Sequence, residues 1–364
     1  MNPCLDNIIF SLQRAGGISV YWSELWSRLL RDGLSAVAIE AQGAKQNIFR
    51  ANLDIPSHQT RLDTRPVRMA RYLRAPALAG RDELVHSSYY RRPSSGRVPH
   101  VQSCYDFTYE RFWRGPARWA HSWQKRQAVE SANGVICISE STRRDLLYYC
   151  PSVREENTCV IHLGFSDSFR RVPEQEAQAL VAPHSAPDGP YSVFVGDRSA
   201  YKNFPVAVDA VALCPGHRLV VVGGGPLKER DHRRLEHRLL GRWTHIDRAP
   251  SALLNALYNR AHALIYPSSY EGFGIPVIEA MAAGCPVIAV NVSSIPEAAG
   301  DAGLLLDRPD AEGVAEQLRR LEDAGFCAGV QSRGLHNAQR FSWESCYRDT
   351  LSFYARVLGQ WSSP

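Results

Sequence analysis

Short unbroken apolar runs, many of them β-branched, alternate along this chain with stretches whose apolar positions recur every three or four residues. The first pattern marks strands and the second helices. In the first half it predicts strands at 5–10, 35–39, 83–87, 98–103, 134–138 and 158–162, and helices at 17–31, 116–132 and 140–149. In the second half it predicts strands at 191–195, 218–222, 244–246, 263–266, 287–290 and 304–306. Helices are expected there at 203–213, 227–240, 251–260, 275–283, 310–324 and 343–358. Residues 171–190 carry four prolines and no strand pattern, and read as a linker. Strands this apolar, alternating with helices, belong to parallel sheets covered on both faces. The pattern therefore predicts an α/β protein of two doubly wound domains facing a cleft. Residues 1–170 form the first domain, 171–190 the linker and 191–342 the second. In such sheets ligands bind beyond the carboxyl ends of the strands.

A length of 364 residues fits two domains. No run of 18 apolar residues occurs, so no membrane-spanning helix is expected, and the first residues lack the basic and apolar regions of a secretory signal. Nine scattered cysteines with no CxxC pair predict reduced thiols in the cytosol, and neither a disulfide framework nor a zinc site. Residues 1–170 carry a net charge of +7 and the remainder −2. Such asymmetry suits two domains with different partners, the basic one facing phosphates, nucleic acid or an anionic membrane. Nearly all the basic charge is arginine; the only lysines are 45, 125, 202 and 228. Arg61, Arg65, Arg68 and Arg71 fall at helical spacing opposite Leu62, Met69 and Leu73. They read as a basic amphipathic surface suited to an anionic leaflet, or as a solvated face interrupted by Pro66.

The stretch 266–290, YPSSYEGFGIPVIEAMAAGCPVIAV, carries the densest chemistry. A strand runs into a turn with Gly272 and Gly274, and Pro276 then suits the first turn of a helix. Backbone N–H groups at such a turn make an anion site. Glu271 and Glu279 flank the turn, either as acceptors for sugar hydroxyls or as a capping and a solvated carboxylate. Arg198 and Lys202 follow the strand at 191–195, where two cations can neutralise a diphosphate without a metal. The Gly16–Gly17 turn opens a helix and permits close backbone approach to an anion. Asp106 and Tyr105 follow the strand at 98–103, and His86 ends another. Asp106 reads as a ligand-facing carboxylate or a turn residue, and His86 as a structural histidine more readily than a reactive one. The Gly223–Pro226 turn does not complete the dinucleotide fingerprint, which needs glycine at Lys228.

Glu271 and Glu279, with seven residues between them inside EGFGIPVIEAMAAGCPVIA, resemble the signature of the retaining GT-B glycosyltransferases of family 4. The resemblance extends to FSLQRAGGISVYWSEL, HSSYY, YDFTYERF, CISESTRRDLL, IHLGFSDSF, FVGDRSAYKNF, VVGGGPL and SSIPEAAGDAGLLLD, in order along the chain. It implies a hexosyltransferase with no bound cofactor or metal, which uses a nucleotide-diphosphate sugar as co-substrate. The donor sits mainly on the second domain and the acceptor on the first, and the last helix, 343–364, packs back on the first domain. The resemblance implies that Glu279 holds the ribose, that Glu271 with the Gly272–Phe273–Gly274 backbone holds the sugar, and that Arg198 and Lys202 hold the diphosphate. Gly16 and Gly17 reach the diphosphate and Asp106 contacts the sugar or acceptor. Relatives often carry histidine where this chain has Tyr105. Retention is expected by front-side displacement, the donor phosphate taking the acceptor proton. The likeness is greatest to bacterial enzymes building surface polysaccharide such as O-antigen. It implies a lipid-linked glycan acceptor, peripheral contact with the cytoplasmic face of the inner membrane and no nucleic acid partner. GDP-mannose or a related GDP-sugar is the favoured donor, with UDP-sugars next. A dehydrogenase or epimerase of similar architecture, and an inactive partner subunit, are the alternative classes.

Overall fold

The computed structural model describes residues 2–76, 84–184 and 189–361. Residue 83 of one expected strand, 185–188 of the expected linker and 362–364 at the end of the last helix lie outside the described residues. The chain divides into two units, 1–164 with 342–364, and 165–341.

The first unit holds a seven-stranded sheet of β1 (Pro3–Asp6), β2 (Val37–Ala41), β3 (Thr60–Asp63), β4 (Leu84–Ser87), β5 (His100–Cys104), β6 (Gly134–Cys137) and β7 (Thr158–Val160). Its order is β3-β2-β1-β4-β5-β6-β7, and every pairing is parallel. The second unit holds six strands, β8 (Tyr191–Val195), β9 (Arg218–Val222), β10 (Trp243–Ile246), β11 (Ala263–Tyr266), β12 (Val287–Val290) and β13 (Leu304–Leu306). Their order is β10-β9-β8-β11-β12-β13, again all parallel. Each sheet reverses its order once, between β1 and β4 and between β8 and β11, and the crevice at such a reversal is where doubly wound sheets receive ligands.

The sheet cores explain why the strands read so plainly. Val193, Phe194, Val221, Leu264, Val287 and Ile288 are all buried, helices covering both faces. Caps set several helix starts: Ser139 accepts from the Thr142 N–H, Asp310 from Gly313, Asp323 from Phe326 and Ser342 from Ser345. The helix Trp343–Gln360 lies on the first unit. Its Tyr354 hydroxyl meets His86 Nδ1 at 2.5 Å, and its Phe353 and Val357 leave no room for a Cβ at Gly134.

Four expectations need correction. The strand expected at 5–10 ends at Asp6, and Ile8–Leu12 is helical. Asn7 breaks it, its side-chain oxygen accepting from Trp22 Nε1 and Trp26 Nε1 while its amide donates to Glu40. The arginine stretch 61–74 is not one amphipathic helix. It is β3, a turn at Pro66 and the single turn of helix Val67–Ala70, because Arg61 and Leu62 are paired in the sheet beside β2. The linker expected at 171–190 contains the helix Glu174–Val181, which buries Ala177 and Val181 and pairs Glu174 with Arg260. Its prolines flank the helix rather than interrupting it. The helix expected at 310–324 stops at Arg320, and a second runs over Ala324–Ala338.

Candidate active site

The loops that leave β8 and β11 stand on either side of the sheet reversal in the second unit. They are stitched together by backbone and amide. The Ser269 N–H donates to the Tyr201 carbonyl at 2.7 Å, and Asn203 Nδ2 donates to Pro267 O at 2.8 Å and Ser269 Oγ at 2.7 Å. Asn203 takes a left-handed conformation at φ 50°, which asparagine tolerates, so the chain can turn directly into the helix Phe204–Ala212. This brings Lys202 to Glu271, with Nζ donating to Oε1 at 2.6 Å. Both side chains are largely buried. Tyr266, at the end of β11, hydrogen-bonds the Glu271 carboxylate, and burial followed by that carboxylate holds its phenol well above its ordinary pKa. The Lys202 ammonium also lies 5.5 Å from the Tyr266 ring centroid. Sequence reasoning singled out Lys202 and Glu271 but not Tyr266, Asn203, Ser293 or Ser294.

The two serines shape the turn after Glu271. Ser293 Oγ accepts from the Glu271 N–H at 2.8 Å, and Ser294 Oγ donates to the Glu271 and Phe273 carbonyls, each at 2.9 Å. Gly274 follows at φ 111°, a conformation that favours glycine, and begins the helix Ile275–Ala282. Phe273 is buried with its ring edge-on to Phe341. Gly272, Phe273 and Gly274 thus form a pinned turn at a helix N-terminus, the place where a dipole and outward N–H groups favour an anion or a polar hydroxyl. Glu279 lies one turn inside that helix. Its carboxyl has no protein hydrogen-bond or ion-pair partner among the described residues, and burial alone pushes its pKa up to about 8.

Arg198 does not stand beside Lys202 as a second cation at the turn. Its guanidinium is buried and folds back on the Gly223–Pro226 turn. Nη1 donates to Gly223 O at 2.8 Å, and Nη2 approaches the carbonyls of Gly224, Gly225 and Pro226 at 3.1, 2.7 and 2.9 Å. Asp231 lies 3.6 Å from its Nε. The three glycines take φ of 80°, 78° and 71°, and a Cβ at Gly224 would strike the Gly196 carbonyl at 2.6 Å. The expected basic pair is therefore split. Lys202 faces a carboxylate, whereas Arg198 holds a glycine turn whose carbonyls all point inward at it.

In the first unit Gly16 precedes the helix Gly17–Arg31 in extended backbone. The turn is bordered by polar groups, with Gln13 Nε2 and Asn47 Nδ2 both donating to Ser19 Oγ at 2.8 Å. Gln13 and Asn47 also line a cavity of about 410 Å³ with Ser11, Arg14, Gly43 and Gln46. Asp106 is partly buried, and its Oδ1 accepts from the Thr108 N–H at 2.9 Å, two residues on, where the short helix Thr108–Phe112 begins. Tyr105 is turned inward, and its hydroxyl donates to Ser88 O at 3.1 Å. It offers no hydrogen bond to a sugar in this arrangement. His86 is fully buried between Tyr354 and Ser103, and burial pulls its pKa down to about 3. It is a neutral packing residue. Among the described residues no three His, Cys, Asp or Glu side chains are grouped to hold a metal ion, and no helix is long and apolar enough to cross a membrane.

Known proteins agree with this architecture. The family model described as Glycosyltransferase Family 4 matches residues 15–169, and that described as Glycosyl transferases group 1 matches residues 178–335. An O-antigen chain mannosyltransferase B of Escherichia coli is 31% identical over 243 residues, 63% of this chain and 62% of that protein. The chain thus aligns with somewhat less than two thirds of that relative's length. An alpha-maltose-1-phosphate synthase of Mycobacterium tuberculosis is 26% identical over 94% of this chain and 96% of its own. The crystal structure of Anabaena HepE in complex with UDP and glucose superimposes with a TM-score of 0.75 at 17% identity, covering 98% of this chain and 100% of that one. With a matching family model on each unit and two parallel sheets of Rossmann type, the chain belongs to the family 4 glycosyltransferases of GT-B fold.

Proposed function

We propose that this protein transfers a hexose from a nucleotide-diphosphate sugar to a hydroxyl of a lipid-linked glycan, with retention at the anomeric carbon. The observation that carries this reading is the Lys202–Glu271 pair at 2.6 Å beside a pinned helix N-terminus, with the unpartnered Glu279 one turn on. Each group suits one part of such a donor. Glu279, lacking a donor of its own, accepts hydrogen bonds from the vicinal ribose hydroxyls. Lys202 exchanges its carboxylate partner for the diphosphate, which frees Glu271 to accept from hexose hydroxyls. The backbone at Phe273 and Gly274 meets the sugar's remaining oxygens.

The acceptor oxygen then attacks the anomeric carbon from the face the diphosphate leaves. The bond from that carbon to the phosphate oxygen breaks, and the acceptor proton passes to a departing phosphate oxygen. Lys202 stabilises the charge that accumulates there, so the protein contributes positioning and electrostatics rather than a nucleophile. Arg198 acts one step back, holding the Gly223–Pro226 turn against the β8 loop. The polar cavity beside Gln13 and Asn47, with Asp106, supplies the acceptor side. A mannosyl donor is supported by the mannosyltransferase relative, which favours a GDP-sugar; the UDP bound in the HepE crystal supports the uridine alternative.

A thermal-shift panel of GDP, UDP, ADP and their sugars decides the donor, because a ligand that binds only the folded state raises the apparent Tm. One nucleotide and its sugar should shift the wild type and fail to shift Glu279→Gln. Transfer measured with the selected donor should persist in excess EDTA, since Lys202 supplies the cation. Loss of rate restored by Mg²⁺ or Mn²⁺ overturns that part of the mechanism.

A further inference from the structure

The first unit carries a surface that the proposed chemistry does not use. Trp119 and Trp123 stand on successive turns of the helix Pro116–Glu130 and are 74% and 59% exposed. Phe112 and Trp113, at the end of the preceding short helix, are 45% and 52% exposed. Single exposed apolar residues are commonplace; four large ones within twelve residues of chain are not. The patch is continuous with a second segment. Tyr72, Leu73, Arg74 and Arg92 line one depression together with Trp123. Tyr109 stacks on both Trp113 and His121, at 5.3 and 4.0 Å between ring centroids, which ties the two helices together.

The unpaired charge beside these rings is positive. Between Thr108 and Arg126 there are five Lys and Arg. Three are paired with acids: Lys125 with the buried Glu110 at 2.8 Å, Arg111 with Asp145 and Arg126 with Glu130. Arg114 and Arg118 have no acid partner among the described residues and flank the tryptophans. Indole rings prefer the boundary between headgroup and acyl chain, and long arginine stems let the guanidinium reach phosphate while the methylenes stay in apolar surroundings. A glycan platform would present carboxylate or amide acceptors beside its rings to receive sugar hydroxyls. Here the bordering carboxylates are spent on Lys125, Arg111 and Arg126, and the two amides beside Trp123 are engaged as well, Gln127 Oε1 by Arg92 Nη1 and the buried Gln124 on the Arg71 and Tyr90 carbonyls.

We propose that this face, Phe112–Trp113 with Trp119 and Trp123 between Arg114 and Arg118, docks the protein onto an anionic lipid bilayer. The rings enter the interface, and the arginines pair with lipid phosphates. This deepens the proposed function by naming how a lipid-linked acceptor is approached. It also replaces the helix expected at 61–74, which the sheet pairing of Arg61 and Leu62 rules out.

Vesicle flotation of the full chain tests it without any sugar nucleotide, so failure of the donor assignment leaves this result untouched. Two vesicle sets are compared, phosphatidylcholine alone and equal parts phosphatidylcholine and phosphatidylglycerol. The wild type should float with the anionic set only, with a blue shift of tryptophan emission and release at about 0.5 M NaCl, where screening is strong. Arg114→Glu with Arg118→Glu should lower the partition coefficient about 5-fold or more for each arginine lost. Trp119→Ser with Trp123→Ser should lower it on the order of 10-fold or more, from the apolar area withdrawn from the interface. Because both tryptophans are exposed, an unchanged Tm shows that the variant is folded. No anionic-vesicle binding by the wild type, or binding unaffected by the tryptophan pair, overturns the proposal. So does saturable binding of a soluble mannose oligosaccharide that the tryptophan pair abolishes, which would reassign the face to glycan.

Discussion

Lys202 and Glu271 neutralise each other, and in the proposed reaction each exchanges this partner for a part of the donor. Removing the lysine leaves Glu271 largely buried without its cation and the departing diphosphate without a stabiliser. Lys202→Ala should lower kcat/KM on the order of 10²–10³-fold, comparable with losing one preorganised donor, and a steady-state assay with saturating acceptor checks it. Glu279 makes a different prediction. Its carboxyl titrates near 8 because burial disfavours the charged form. The folded value lies above the unfolded one, so the folded protein binds more protons, and stability is lost as pH rises from about 4.5 toward 8. Glu279→Gln should therefore raise Tm at pH 8 relative to wild type and change it little at pH 5. Hydroxyl donors favour the ionised form, so nucleotide binding near pH 7 should release a proton in the wild type and none in the variant. Calorimetry in buffers of different ionisation enthalpy reads that proton directly, and uptake in place of release sinks the ribose assignment. The two glutamates and the lysine are legible in the sequence because they sit at fixed distances from a glycine turn and a helix start. Arg198 is not, because sequence cannot reveal that a guanidinium folds back on the carbonyls of Gly223–Pro226, twenty-five or more residues away. Tyr266 escapes for a related reason, since it reads as the last apolar residue of a strand.

The helix Ile275–Ala282 owes its entry angle to Ser294 as much as to its own residues. One hydroxyl is shared between the carbonyls of Glu271 and Phe273, and Gly274 takes the left-handed bend between them and the helix. Ser294→Ala leaves two carbonyls short of a donor in a buried turn and should cost about 1–3 kcal/mol of stability. It should also raise the donor KM more than it lowers kcat, because in the proposed function the turn receives the sugar before any bond breaks. Equal losses in both constants would argue that the turn acts only in the transition state. Strands β8, β9, β11 and β12 are readable because helices cover both faces and their sequences are almost wholly apolar, and β13, at the sheet edge, because it is three consecutive leucines. β3 is not, since Thr60–Asp63 is partly exposed at a sheet edge and its polar residues imitate a helical charge pattern. Glu174–Val181 is missed because only Ala177 and Val181 are buried in its eight residues, too weak a stripe to stand out between prolines.

At the scale of the molecule, burial lowers the pKa of five histidines among the described residues. His86 and His121 fall to about 3, His100 and His217 to about 4, and His245 is also lowered. In the unfolded chain each titrates near 6.5. Below that pH the unfolded state binds protons that the folded state refuses, so stability falls as pH falls through 6.5. The Tm should drop steadily from pH 7 to pH 5, and replacing His217 by Gln should flatten part of that slope. A Tm that is level over this range would mean that the histidines are reached by water.

The helix Trp343–Gln360 closes the first unit although the whole second unit separates it from the rest. A growing chain on the ribosome therefore has residues 165–341 complete while the first unit still lacks the helix that covers Gly134 and His86. The middle of the chain can mature before its beginning. Expressed alone, 165–341 should give a cooperative unfolding transition, whereas 1–164 should be aggregation-prone until a peptide of 342–364 is added. Any late truncation, even of the last helix by itself, becomes a lesion of the N-terminal half.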